Sequence, residues 1–403
     1  MNGGASAGEN AGVGGGGSSA GANTDAMGGA TDGGGGSGNG SGTIDPISGC
    51  RVDHIEAAEG VHAFVAHDFD ADGALDLALF AYSLTAPADY GVAWGSKAGF
   101  SAPVWSELEV VAEFAGYGDF DADGHGDLVI AGPRSGGENN ETGALVLGGD
   151  GARTFAPAGY TYRGVGSAVG DFDGDGILDL FTAQTGAFGI TKGVGDGTFE
   201  TYVTKYEVPS HLSTDGGNGS FVAIADFDEN GSLDAAVPLL SNTLGALHVL
   251  LIDESGEFSL SDQKVADIGR PVVADFNDDG HLDVAGTSYQ DNRAQVWLGD
   301  GTGAFEAVQG VLPSTGDAPS YGASGDFDGD GLADMLTKNY DSKDMSVLLG
   351  NGDGTFQPER RITPRLDGVF DLGVADVDGD GVDDILYATL DGLDVYYGPC
   401  PSL

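Results

Sequence analysis

The stretch Asp171-Phe172-Asp173-Gly174-Asp175-Gly176-Ile177-Leu178-Asp179 places carboxylates at positions 1, 3, 5 and 9 of a nine-residue loop. Versions of it also begin at Asp68, Asp119, Asp226, Asp275, Asp326 and Asp376, with successive spacings of 51, 52, 55, 49, 51 and 50 residues. A near-constant period of this length is the mark of a repeat architecture, in which each unit buries its apolar face against its neighbours. The recurrence therefore constrains the fold more than length or composition does.

Each loop is flanked by short apolar runs, such as Phe221-Val222-Ala223-Ile224-Ala225 before Asp226 and Leu178-Asp179-Leu180-Phe181-Thr182 at the end of another copy. These read as β-strands. A third strand follows and ends in a Gly-rich turn and a Phe, as in Leu348-Leu349-Gly350-Asn351-Gly352-Asp353-Gly354-Thr355-Phe356, which is hairpin chemistry. Four antiparallel strands per period, with no helical pattern, are the content of one propeller blade. The expected fold is all-β, a seven-bladed β-propeller over residues 49–403.

The last period is too short for four strands. In repeats one to six, 28 to 36 residues separate the first Asp of a loop from the Phe that opens strand four, and a similar count from Asp376 runs past Leu403. Counting back 16 to 21 residues from Asp68 reaches Ile47 to Val52, so Arg51 to Ala58 is expected to complete blade seven. Cys50 and Cys400, the two cysteines of the chain, flank the place where other blades have their turn. A disulfide between them would close the ring and implies an oxidising compartment.

The formal charge of −49 argues against nucleic acid or an anionic membrane as the main partner. No apolar run of about twenty residues offers a membrane span. Residues 1–48 are rich in Gly, Ala, Ser and Asn. Such a segment cannot offset its ordering entropy, and it reads as a disordered tether without secondary structure, suited to follow a lipid or wall anchor. A basic n-region and an apolar signal core are missing from it. The expected location is secreted or on the cell surface, and the expected state is a monomer.

Carboxylates two residues apart, broken by a Gly that permits a sharp turn, converge on the hard oxygen site that Ca²⁺ prefers. The EF-hand loop also begins Asp-x-Asp-x-Asp-Gly, but it needs a Glu at position 12. Here that position holds Leu79, Ile130, Thr182, Val237, Gly286, Thr337 and Tyr387. With strands on both flanks, the chain instead resembles FG-GAP or VCBS repeat proteins, whose propellers include the head of integrin alpha subunits, over about residues 50–400.

The resemblance implies up to seven Ca²⁺ ions, each held by side chains at positions 1, 3, 5 and 9 and the carbonyl of position 7. Blade one would use Asp68, Asp70, Asp72, Asp76 and the Ala74 carbonyl, and blade two Asp119, Asp121, Asp123, Asp127 and that of His125. Blade three would use Asp171, Asp173, Asp175, Asp179 and Ile177; blade four Asp226, Asp228, Asn230, Asp234 and Ser232; blade five Asp275, Asn277, Asp279, Asp283 and His281. Blade six would use Asp326, Asp328, Asp330, Asp334 and Leu332, and blade seven Asp376, Asp378, Asp380, Asp384 and Val382. Asn230 and Asn277 offer neutral oxygens, so blades four and five should bind more weakly.

Loops and Gly-rich turns fall at one end of the blades, so a ligand face is expected at the other. Its candidates are Tyr82, Tyr117, Arg134, Tyr160, Arg163, His211, Arg270, Tyr289, Arg293, Tyr321 and Tyr340. Aromatic and basic residues together suit a glycan or protein ligand. No nucleophile, triad or zinc spacing stands out. The expected function is a non-enzymatic extracellular module for adhesion or recognition. A carbohydrate-active enzyme such as a polysaccharide lyase, using Tyr160, Arg163 and His211, is the alternative, and a structural spacer is a third.

Overall fold

In the computed structural model the described residues are 43–44 and 50–400, apart from 58–59, 82–87, 135–141, 163–165, 185, 209–211, 214–221, 242–244, 262–264, 267–270, 311–312 and 365–370. They form seven antiparallel sheets and no helix. Blade 1 runs Val61–His67, Asp76–Ala81, Ala88–Ala93, Val104–Leu108, and its strands are paired in chain order. Blades 2, 3, 5 and 6 repeat this order from Phe114, Ala168, Val272 and Pro319. Blade 4, from Ala223, carries two extra two-residue strands, Leu212–Ser213 and Val265–Ala266.

Blade 7 is built from both ends of the described chain. Leu372–Ala375, Asp384–Thr389 and Gly392–Tyr397 are joined by Arg51–Glu56, with Arg51 opposite Tyr397 and Glu56 opposite Gly392. The closure expected from the spacing is thus present, and the Cys50–Cys400 disulfide fastens it, with the two Cα atoms 4.8 Å apart. One expectation is corrected. Thr43–Ile44, placed by composition in a segment without secondary structure, pairs outside Arg51–Glu56 as a fifth strand. The rest of residues 1–48 lies outside the described residues.

The second strands are buried along their whole length in blades 1, 6 and 7. Each is an inner strand with a neighbouring blade on both faces, so its burial is continuous and not alternating; blades 1 and 7 fill it mainly with apolar residues, while blade 6 buries Thr337, Lys338 and Asn339 there. The outer strand Val104–Leu108 is mostly exposed. First strands of adjacent blades lie side by side, and glycine permits this. A Cβ on Gly116 would fall 2.7 Å from Val169 of blade 3, and one on Gly373 would fall 2.7 Å from Phe64 of blade 1.

The core is divided accordingly. Seven apolar clusters occur among the described residues, and each draws on two adjacent blades, in turn 1 and 2, 2 and 3, 3 and 4, 4 and 5, 5 and 6, 6 and 7, and 7 and 1. Among the described residues no cluster lies within a single blade, so each blade relies on its neighbours for burial. Cys50 and Cys400 are buried in the cluster between blades 6 and 7. The bridge therefore holds an interface as well as a chain end.

Reduction of Cys50–Cys400 should lower the unfolding free energy by about 2–4 kcal/mol, as for other bridges that close long loops. Calorimetry with and without reductant checks this. An unchanged melting temperature would contradict a closing role for the bridge.

Candidate metal centre and ligand face

The seven acidic loops share one hydrogen-bond skeleton. The position-9 carboxylates of Asp76, Asp127, Asp179, Asp234, Asp283, Asp334 and Asp384 are buried at the first residue of strand two. One oxygen of each accepts the amide of position 2 in its own loop, from Phe69 at 3.0 Å to Val377 at 2.9 Å. The other accepts an amide at the end of strand three, from Gly95, Gly149, Gly193, Ile252, Gly299, Gly350 or Gly398, at 2.7–2.9 Å. A single side chain thus joins the loop to two strands.

The position-1 carboxylate closes the turn. In every blade its two oxygens accept the amides of positions 5 and 6, as Asp68 does from Asp72 at 3.0 Å and Gly73 at 2.8 Å. Position 6 is Gly throughout, with φ between 84° and 92°, a conformation that side chains disfavour. Position 5 accepts the amide of position 7, for example His125 to Asp123 at 2.8 Å.

Position 2 reaches into the next blade. Phe69, Phe120, Phe227 and Phe276 meet Phe155, Phe199, Phe305 and Phe356 edge-on, with ring centroids 5.4–5.7 Å apart. The Phe120, Phe227 and Phe276 carbonyls also accept the amides of Gly197, Gly303 and Gly354 in the following blade's turn, at 2.9–3.0 Å. At the seam no such Phe follows Phe327. Its cluster contains the disulfide, and Asp383 bonds the Asp326 amide at 2.7 Å. The loop is therefore a joint between blades.

These joints hold concentrated negative charge. Burial pushes the carboxyls of Asp76, Asp127 and Asp283 up to about 6, those of Asp179, Asp234 and Asp334 to about 7 and that of Asp384 to about 8, against the pull of their two amide donors. Neighbouring loop aspartates add to the rise.

The donor set fits a hard divalent cation. In blades 1, 2, 3, 4 and 6 one carboxylate oxygen from each of positions 1, 3 and 9 lies within 4.8 Å of the others. The buried Oδ1 of Asp173 and that of Asp328 have no hydrogen-bond partner, as expected of oxygens that serve an ion. Asn230 offers a neutral oxygen in the same place: its Oδ1 accepts the Ser232 amide as the position-5 carboxylates do, and its Nδ2 donates to the Ile252 carbonyl at 3.2 Å. Asn277 Nδ2 donates to Asp279 Oδ2 at 2.8 Å, within the blade 5 loop.

Of the expected ligand-face residues, Tyr289 and Tyr340 are 53% and 61% exposed, immediately after strand two and at the end of the blade away from the acidic loop. Leu390, 57% exposed, holds the same register in blade 7; it is position 15 counted from the loop, and its aliphatic side chain carries no aromatic or charged signal that would mark it in the sequence. The backing is firm. Tyr340 donates its amide to the Ala318 carbonyl at 2.9 Å, Asn292 bonds Asp317 at 3.0 Å, and the Lys338 ammonium lies 5.7 Å from the Tyr340 ring.

Other candidates are packed elsewhere. Tyr117 sits in the first strand of blade 2, stacked on His67 at 3.7 Å and beside Gly126 of the acidic loop, so it is at the loop end. Tyr160 packs on the blade 1–2 cluster with Arg134 5.4 Å from its ring, Arg134 pairs with Glu109 at 2.9 Å, and Tyr321 packs on the blade 6–7 cluster. Arg293 lines a cleft of about 560 Å³ between blades 5 and 6, with Gln295, Gln309, Phe356 and Glu359. Tyr82, Arg163, His211 and Arg270 lie outside the described residues.

The FG-GAP-like repeat profile matches residues 119–182, 171–237, 275–337 and 339–387, together more than half of the chain. No curated protein matches. Among solved structures, a lectin from Agrocybe aegerita, solved for its specific recognition of non-reducing terminal N-acetylglucosamine, is 18% identical with a TM-score of 0.53, covering 84% of this chain and 87% of the lectin. The periplasmic gluconolactonase PpgL of Pseudomonas aeruginosa is 14% identical with a TM-score of 0.50, covering 84% and 99%. At such identities the likeness is one of fold.

Asp234→Ala should cost at least about 2 kcal/mol even in chelator, because two buried amides lose their acceptor. Chemical denaturation with EDTA present measures it. A cost below about 0.5 kcal/mol would show that the carboxylate does not join loop to strand.

Proposed function

The chain belongs to the FG-GAP-like repeat family, and on that premise we propose that it is a calcium-stabilised extracellular binding module, without catalysis, for a glycan or protein ligand. The observation that carries the reading is the row of exposed side chains Tyr289, Tyr340 and Leu390 at one register of three consecutive blades. Position 15 of blade 1, next in the ring, is Tyr82. Apolar side chains on a braced rim suit the C–H faces of sugars or a partner's apolar anchors.

Calcium is proposed for the acidic loops of blades 1, 2, 3, 6 and 7, with weaker sites in blades 4 and 5. Bound Ca²⁺ would neutralise the converging carboxylates and tie positions 1, 3 and 9 together. The protein's own part is to hold those oxygens with backbone amides before any ion arrives. An exterior with millimolar Ca²⁺ and an oxidising potential agrees with the disulfide. Among the described residues no helix is long and apolar enough to cross a membrane, which agrees with a secreted or surface-held domain.

At about 1 mM Ca²⁺ and a Kd near ~10⁻⁴ M, each occupied site adds about 1.4 kcal/mol of stability by mass action. Melting should therefore shift down by many degrees in EDTA and recover with Ca²⁺, and an unmoved curve would contradict the metal reading. For the ligand face, a glycan and extracellular-protein array should retain the wild-type chain without turnover. The Tyr289→Ala/Tyr340→Ala double variant should lose at least about tenfold in retention with its melting temperature unchanged. Retention equal to wild type would move the ligand site elsewhere, and product formation would favour an enzyme.

A further inference from the structure

The Cys50–Cys400 bridge and the acidic loop of blade 7 cross the same break in the chain. Gly398, two residues before Cys400, donates its amide to Asp384 Oδ1 at 2.7 Å, position 9 of that loop. Arg51, next to Cys50, donates to Asp378 Oδ2 at 3.1 Å, position 3 of the same loop. In the other blades the residue that gives its amide to position 9 runs on through a turn into strand four. In blade 7 that residue and strand four belong to opposite ends of the described chain. The disulfide and the loop carboxylates both join them, beside the ladder between Arg51–Glu56 and Gly392–Tyr397.

The neighbourhood leaves little slack. The Arg51 guanidinium lies 3.7 Å from the centroid of the Tyr397 ring, and Tyr397 donates its hydroxyl to Asp53 at 2.9 Å. Asp383, at position 8 of the loop, accepts the Asp326 amide at 2.7 Å and gives its own amide to the Asp326 carbonyl at 2.9 Å, so the loop also holds blade 6 to the seam. Both cysteines are inside, at 0% and 3% exposure. A thiol reductant therefore reaches the sulfurs only when the seam opens locally. Opening that lifts Arg51 takes it from Asp378, and opening that lifts residues 398–400 takes the Gly398 amide from Asp384.

Resting on the calcium reading above, we infer that the blade 7 loop and the Cys50–Cys400 bridge are one linked device: a divalent cation in that loop shields the disulfide from reductants, and the intact disulfide tightens that loop for the cation. The carboxylates that would hold the ion are the ones that hold Arg51 and Gly398, so fixing them fixes both cysteines. Linkage of this kind is reciprocal. If opening the seam empties the loop, about 1 mM Ca²⁺ acting on a Kd near ~10⁻⁴ M suppresses opening about tenfold. Reduction by dithiothreitol moves two electrons. One of its thiolates attacks a cysteine sulfur and expels the other cysteine as thiolate, and its second thiolate then displaces the mixed disulfide. The chain gains two thiols and the reagent closes to a cyclic disulfide.

The test is reduction of the native full chain by dithiothreitol below its melting temperature, in about 1 mM Ca²⁺ and in EDTA, with new thiols counted by mass after alkylation. Wild type should be reduced about tenfold more slowly in Ca²⁺. Asp171→Asn, at position 1 of the blade 3 loop, should keep that ratio. Asp376→Asn, the same change in blade 7, should bring it below about threefold. Arg51→Met should lower it as well, although calorimetry still finds Ca²⁺ bound. Each variant is compared with itself in the two media, so a general loss of stability shifts both rates and leaves the ratio readable. Equal ratios for Asp171→Asn and Asp376→Asn, or no effect of Ca²⁺ on a wild-type chain that binds it, would overturn the linkage. Absence of any Ca²⁺ binding by wild type in calorimetry would instead overturn the calcium reading on which it rests.

Discussion

Each blade depends on a buried carboxylate that receives two backbone amides. The Asp at position 9 ends the acidic loop, begins strand two and binds the far end of strand three. It does for a β-blade what a cap does for a helix, supplying an acceptor to amides that the ladder leaves over. Its cost is electrostatic. A carboxylate at this depth resists ionisation, as the raised carboxyls of Asp179 and Asp384 show, and three further acidic or amide side chains crowd the same turn. A divalent cation would be the natural compensation, and the proposed metal dependence of the ring rests on this.

Because the apolar clusters lie between blades, whatever fixes a loop also fixes an interface. Phe at position 2 extends from the loop to the next blade's fourth strand, and its carbonyl takes that blade's turn amide. The scaffold end is thereby committed to cohesion. The other end, where strand two turns into strand three, carries no such duty and can present Tyr289, Tyr340 and Leu390 to a partner. The separation is the usual one of a rigid frame and variable loops.

Much of the fold was legible in the sequence because repetition converts spacing into topology. The blade count, the return of Arg51–Glu56 to blade seven and the Cys50–Cys400 bridge all followed from the interval between loops. What spacing could not convey was contact between distant residues. Arg153 meets Asp70 across 83 residues and Phe227 meets Phe305 across a blade boundary, although the recurrence of Phe at position 2 was itself a visible signal. The Asn230 side chain ties its loop to the end of strand three, with Oδ1 accepting the Ser232 amide and Nδ2 donating to the Ile252 carbonyl, a contact that residue type alone does not announce. Among the aromatic candidates, those at strand ends faced solvent, while Tyr117 and Tyr160 lay within strands and packed inward.

Whether the acidic loops are joints between blades can be measured by hydrogen exchange followed by mass spectrometry with and without Ca²⁺. The amides of Gly197, Gly303 and Gly354 lie in the turn of one blade and donate to the loop of the preceding one. If the loops join the blades, Ca²⁺ slows exchange in the peptides that carry these glycines as well as in the loops themselves. Protection confined to the nine-residue loops, with the glycine turns unchanged, would contradict the account.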